Sequence, residues 1–546
     1  GRAITIIGAR GNDTVDGSQL TKYNEINVVA GSGLDRLIGG ASQDEFFFTA
    51  ANLTAGDTVQ GGDGVDKLIL TTPRILADDA LAGVTGIEVI YLAQGNDITL
   101  SDANCVAIGD IVVQGSAGGS RIDASNLTGS NAIVYDGGGG IDTVLGGGGN
   151  DRFFFDGPYP FRPGIVIDGG GDADGSGDRI SFSRSMDFLG DTITGIEFLY
   201  CDQTVAANIS GETAARLKGF DSYLNGQIQT YNIQLSAGST TDLSKLMLIR
   251  ADAGDAINVV SNGGNTAVTL SNSIARFTGS ADADTVGFAP GGSYKAGAVI
   301  DGGGGNDRIA YANASGGLLD GGTGFDVLVL SGAATVDLGN ATNQLVTGKT
   351  TVRNFEGVVA SASSAAVTLT GNDAFIRLIG GSGTDTITAG TGGATIGGGL
   401  GADVLKGGSG NDRFVWNDKL EGGDTITGFV PLSDKLGFSG QTFTFSGANF
   451  DVLTDASGSS SINLDNTDLL RIAPKLNTAA DVRAYLDNNT TSTAHGLFVV
   501  ATSDSGSNVL YYTSNAAKDG ADSAVFQIAD LGAEGTALNL SNFLFL

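Results

Sequence analysis

Cysteine, proline, histidine and tryptophan are almost missing from this chain of 546 residues, which holds 2, 7, 1 and 1 of them. Cys105 and Cys201 stand 96 positions apart without paired spacing, which excludes a disulfide framework and a cysteine zinc site. The one histidine, His495, lies in Ala494-His495-Gly496. It leaves no HExxH helix for a zinc protease and reads as a loop residue rather than a general base. No GxSxG elbow occurs, which argues against a lipase of that type. The 88 glycines come with only 7 prolines, so neither a collagen helix nor a Pro-rich linker is expected. No run of about 18 apolar residues occurs, and no membrane span is expected. Basic residues are few: 29 against 60 acidic ones give a net charge of −31. That charge makes nucleic acid and anionic membranes poor partners and cations natural ones. The 41% of apolar residues is far above that of a disordered chain, and the length suits roughly three or four domains of ~150 residues.

Glutamate is scarce too. Only Glu25, Glu45, Glu88, Glu197, Glu212, Glu356, Glu421 and Glu534 occur, which leaves 52 aspartates. A generally acidic surface would use both. The short aspartate arm suits turns, where it bonds its own backbone or holds an ion, so the charge is expected in loops.

Those loops are visible as repeats. Four nonapeptides run in tandem from Gly380: GGSGTDTIT (380–388), AGTGGATIG (389–397), GGLGADVLK (398–406) and GGSGNDRFV (407–415). Pairs cover 137–154 (GGGGIDTVL, GGGGNDRFF) and 30–47 (AGSGLDRLI, GGASQDEFF). Single copies sit at 8–16, 61–69, 279–287, 302–310 and 321–329, and a stretched form, GGGDADGSGDRISF, at 169–182. Glycine at positions one, two and four permits left-handed backbone and close approach. Aspartate at position six offers a hard carboxylate oxygen, with loop carbonyls beside it. The apolar residue at position eight starts a three-residue strand and is expected to point inward. Two nonapeptides make one turn of a flattened coil, so loops 18 residues apart stack on one edge. The candidate metal ligands are therefore Asp13, Asp35, Asp44, Asp66, Asp142, Asp151, Asp178, Asp284, Asp307, Asp326, Asp385, Asp403 and Asp412.

This tandem closely resembles the RTX (repeats-in-toxin) family, whose GGxGxDxUx motif binds Ca²⁺ in a parallel β-roll. The resemblance implies an all-β fold, a right-handed parallel β-roll or β-solenoid, with several Ca²⁺ ions. It also implies type I secretion and folding triggered by extracellular calcium. Near-absence of cysteine fits an exported bacterial protein, and the N-terminus, starting abruptly in strand-like sequence, looks like a cut or processed end.

The register sharpens the sites. Asp385 and Asp403 are expected to share one edge as a complete two-loop site. Ala394 and Asp412 face each other on the other edge, where the missing carboxylate predicts a weaker or empty site. Asp142 and Asp151, like Asp35 and Asp44, fall on opposite edges and need loops from elsewhere; Ser42 also departs from the glycine pattern.

A longer repeat lies between these blocks: VTGIEVIYLAQGNDITL (84–100), ITGIEFLYCDQTVA (193–206) and VRNFEGVVASA (352–362). Alternation around Ile87, Val89 and Tyr91 reads as a strand after an anchoring turn. Glu88, Glu197 and Glu356 occupy one repeated position, where they cap a strand edge or ligate an ion. Nonapeptides interleaved with this unit and with Ser/Thr/Ala/Val-rich segments look like calcium-dependent surface-layer proteins of Gram-negative bacteria. That resemblance implies an extracellular, cell-surface protein assembling with copies of itself into a lattice or filament. An RTX adhesin binding surface polysaccharide is the alternative. A β-helical polysaccharide lyase or epimerase would need a groove lined by Tyr, Arg, Lys and Asp, and no segment has that mix.

Four domains are expected: 1–130, 131–275 and 276–420, each built on repeat blocks, and 421–546, a β-rich C-terminal cap. Residues 421–439 are expected to close the last roll, and the apolar tail, 539–546, is consistent with an uncleaved secretion signal or an edge strand. Helices are rare. Ser210 is expected to cap one over Glu212–Lys218 stopped by Gly219, and Thr478 one over Ala479–Leu486.

Overall fold

The computed structural model describes residues 2–545 apart from 77–78, 103–110, 156–161, 174, 202, 223–226, 312–315, 440–442, 444–451, 456–468, 490–495, 515–523, 534–537 and 539. Cys105 and His495 lie outside the described residues. The chain is nearly all parallel β, a β-solenoid with little helix. It forms two compact units, Gly1–Asn262 with Ser271–Arg276, and Gly263–Leu270 with Phe277–Leu546.

In the first unit a twelve-stranded parallel sheet begins with Arg2–Ile7 and Asn24–Val29 and ends at Met247–Ile249. Shorter sheets on the opposite side stack Thr14–Asp16, Arg36–Ile38 and Thr58–Gln60, then Asp97–Ser101 through Thr192–Thr194. In the second unit Thr285–Phe288, Arg308–Tyr311 and Val327–Leu330 stack on one side. They continue through Ile376–Ile379, Ala394–Gly397 and Arg413–Trp416 to Lys435–Phe438. Opposite them, Thr368–Thr370, Thr386–Thr388, Val404–Lys406 and Asp424–Thr427 form the other wall.

The nine-residue pattern dictates this arrangement. Each repeat gives one short strand, and successive repeats alternate between walls. Position eight points inward throughout: Leu37, Phe46, Leu68, Val144, Phe153, Ile180, Ile309, Leu328, Ile387, Leu405 and Phe414 are all buried. Inward side chains of neighbouring turns stack one strand spacing apart, about 4.8 Å, so the core within each unit is an apolar column.

The helices are close to expectation. Gly211–Arg216 is capped by the Ser210 side chain, which accepts from the Thr213 N–H at 3.1 Å. It stops two residues earlier than the sequence predicts because Gly219 already opens the next strand. The second helix, Ala479–Asn489, runs three residues longer, with Thr478 Oγ1 accepting from the Asp481 N–H. Residues 421–439 do not end the stacking: Val525–Asp530 pairs in parallel with Asp424–Thr427, and Phe543–Phe545 with Lys435–Phe438. Among the described strands, antiparallel pairing joins Leu497–Thr502, Asn508–Thr513 and Val525–Asp530, beyond the repeats.

One expectation fails in phase. Val89 and Tyr91 lie on the outer side, while Ile87 and Ile90 are buried. The N–H groups of Glu88 and Val89 both donate to the Asp66 carbonyl, at 3.2 and 3.1 Å. That shared bond works as a bulge and shifts the alternation by one residue.

Candidate metal centre

The position-six aspartates are buried, apart from the half-buried Asp13, and they form ladders along the edges of the coil. Except in Asp13, which accepts from the Ala9 N–H of its own loop, one oxygen of each accepts the backbone N–H at the equivalent place one turn earlier. Asp44 takes that of Ile26 at 2.8 Å, Asp66 that of Asp44 at 2.7 Å, and Glu88 that of Asp66 at 2.6 Å. A second ladder runs Ile133, Asp151, Asp178, Glu197. A third runs Thr266, Asp284, Asp307, Asp326, Glu356. Each such bond satisfies a buried N–H that no strand reaches, and charge-assisted bonds of this kind stabilise by about 1.5–3 kcal/mol.

The repeated glutamates thus have a common role, since each is the closing rung of a ladder. Two residues before each stands a left-handed residue, Gly86, Gly195 or Asn354, with φ of 64°, 62° and 58°. Asparagine tolerates that region better than other side chains, which explains why the third copy reads RNFE.

The other carboxylate oxygen separates two kinds of loop. In Asp44, Asp151, Asp284, Asp385 and Asp412 it accepts the N–H of position two in the same loop, at 2.6–2.8 Å. In the loops of Asp66, Asp307, Asp326 and Asp403, position two (Gly62, Gly303, Gly322, Gly399) has φ between 89° and 109°. The glycine N–H is turned away there, and the second oxygens of Asp66, Asp307, Asp326 and Asp403 are buried with no hydrogen-bond partner. The same holds for Asp35 and Asp178. A buried carboxylate oxygen without a donor requires a proton or a cation.

Position one is glycine for a steric reason. A Cβ on Gly302 would lie 2.3 Å from an Asp307 oxygen and 2.4 Å from the carbonyl oxygen of Gly321; on Gly169 it would meet Asp178 and the Gly195 carbonyl at 2.6 and 2.1 Å. At these glycines, as at Gly61 and Gly321, carboxylate and carbonyl oxygens therefore converge over the bare Cα. An oxygen-rich donor set without nitrogen or sulfur suits a hard cation such as Ca²⁺. Among the described residues no three His, Cys, Asp or Glu side chains gather at one point, so most of the ligands of such an ion would be loop carbonyls.

The register matches the spacing. The Asp385 N–H donates to Asp403 at 2.7 Å, and the Leu400 N–H to the Gly381 carbonyl, so these two loops stack directly. On the other edge the Ala394 N–H donates to Asp412, whose second oxygen is held by Gly408, leaving neither oxygen spare. Asp142 pairs with Ser120, and Asp35 with Asp13 and Asp57, on the edges opposite Asp151 and Asp44. The sequence pattern missed Asp57, Asp255, Asp424 and Asp434, which occupy rungs of their own. Their signal was a carboxylate two residues before a buried aliphatic, as in Asp424-Thr425-Ile426, without glycine at positions one and two.

Burial pushes the carboxyls upward, against the pull of the backbone N–H groups, and neighbouring carboxylates add to it. Asp66 and Asp307 rise to about 7, Asp178 to about 8 and Asp326 to about 6. Asp403 and Asp424 both rise, chiefly through burial, and stand beside each other. A folded-state value above the unfolded one makes the group stabilising at low pH, and that contribution is lost as pH rises through about 6 to 8. With calcium chelated, strand signal by circular dichroism is expected to be retained better at pH 5 than at pH 8; equal signal at both, or more at pH 8, contradicts the proton-bearing ladder.

No protein-family model matches the chain, and no curated protein matches it. No helix among the described residues is long and apolar enough to cross a membrane.

Proposed function

We propose that the chain is a secreted calcium-binding structural protein, which folds on taking up Ca²⁺ and assembles with its own copies into a surface layer or filament. The observation that carries this is the set of buried, partnerless carboxylate oxygens of Asp66, Asp178, Asp307, Asp326 and Asp403, set over bare glycines and, in the first four, beside a converging carbonyl. Ca²⁺ bound there supplies positive charge that lets stacked carboxylates remain ionised at close range. The chain's own residues do the rest: glycines admit the oxygens, and the ladder holds each carboxylate in place. Calcium at millimolar level is an extracellular condition, which supports a cell-surface location. Copies carrying a net charge of −31 repel one another, so association needs a bridging cation.

Anomalous scattering from the calcium-loaded protein tests the sites. Ions are expected in the turns of Asp66, Asp178, Asp307, Asp326 and Asp403; ions at the Ala394–Asp412 turn alone would overturn the assignment. Sedimentation velocity tests assembly, with growth expected on adding calcium and reversal on chelation.

A further inference from the structure

A groove on the outer face of the second unit has a different chemistry from the rest of this acidic chain. Strand register places Arg308, Val327, Gly357, Arg377, Thr395, Arg413 and Lys435 in one column, each on the strand beside the last. Arg377 and Arg413 are exposed, and their guanidiniums make no ion pair or hydrogen bond among the described residues. They line a cavity of about 510 Å³ with Phe325, Phe375, Thr395 and Asn417 around a floor of Ile379 and Val415. Phe375, 63% exposed, lies across Gly393, and Phe325 across Gly357, since a Cβ on either glycine would be 3.5 Å from the ring. Gly397 leaves the floor open between Ile379 and Val415.

We propose that this groove binds an acidic polysaccharide, a chain bearing carboxylates on alternate sugars. Two unpaired guanidiniums suit carboxylates bidentately, the exposed Phe375 ring and the half-buried Phe325 ring suit the apolar faces of sugars, and Thr395 and Asn417 offer hydroxyl partners. Arg377 and Arg413 are two strands apart, about 9–10 Å, close to the length of a disaccharide. Among the described residues no carboxylate or tyrosine lines the groove, so it is a binding surface without an acid–base pair for cleavage. This goes beyond the calcium sites and does not use them.

The test is calorimetry of the calcium-loaded protein with a hyaluronan octasaccharide, against a neutral chitooligosaccharide and an oligoglutamate of similar length. Hyaluronan is expected to bind most tightly and to weaken with salt. Arg377→Gln with Arg413→Gln is expected to weaken it roughly tenfold or more, and Phe375→Ala several-fold, with unchanged circular dichroism. The exposed Lys349→Gln serves as control and should bind as the parent does. Absence of hyaluronan binding, equal binding of oligoglutamate, or indifference to the arginine substitutions would overturn the proposal. Calcium-dependent folding is read by circular dichroism in the same samples, so its failure is seen separately.

Discussion

Gly302→Ala is expected to destabilise the second unit by about 3 kcal/mol or more, the range that severe overpacking reaches. The backbone at Gly302 is not left-handed, so alanine is conformationally acceptable there and only space opposes it. Its methyl group would overlap the Asp307 carboxylate and the Gly321 carbonyl, both inside 2.5 Å. Neither can retreat, because Asp307 holds the Asp284 N–H at 2.7 Å and Gly321 continues the next loop. Gly332→Ala is the matched control, since a Cβ there meets nothing within 4 Å. It is expected to lie within about 0.5 kcal/mol of the parent. Denaturant unfolding in calcium measures both, and equal stabilities would mean that the oxygens do not converge over position one.

The second large effect concerns calcium itself. Asp385→Asn with Asp403→Asn is expected to raise the calcium concentration for folding by an order of magnitude or more, because it removes the partnerless oxygen of Asp403, whereas Asp385, like Asp412, has backbone donors on both oxygens. Asparagine keeps the oxygen that accepts the ladder N–H, so the structural rung largely survives while the charge is lost. Asp412→Asn is expected to move the calcium midpoint far less, since both oxygens of Asp412 already have backbone donors. Calcium titrations followed by circular dichroism compare the two. Equal shifts would mean that the aspartates serve only as backbone caps.

Much of this architecture is legible in the nonapeptide, because its period, its glycines and its inward position eight are local constraints. The stacking of Asp385 on Asp403, and of Ala394 on Asp412, followed from counting 18 residues. The ladders were not legible in this way: an N–H that needs a carboxylate one turn later is visible only once the turns are stacked. For the same reason Asp424 and Asp434 escaped a pattern that required glycines, and Glu88 gave no sign of closing a ladder beyond its repetition. The outer groove was hidden too, since Arg377 and Arg413 come together through the register of the coil and not through any motif. The phase of Val89 and Tyr91 depended on a bulge that alternation alone does not reveal.

Calcium dependence of folding is the most direct test of the central claim. The metal-free protein, titrated with Ca²⁺ at pH 7.5, is followed by far-ultraviolet circular dichroism and then by electron microscopy of the same samples. Strand signal and ordered assemblies are expected to appear together as calcium is added and to be lost on chelation. Full strand signal and ordered assemblies without calcium, surviving a chelator, would contradict it.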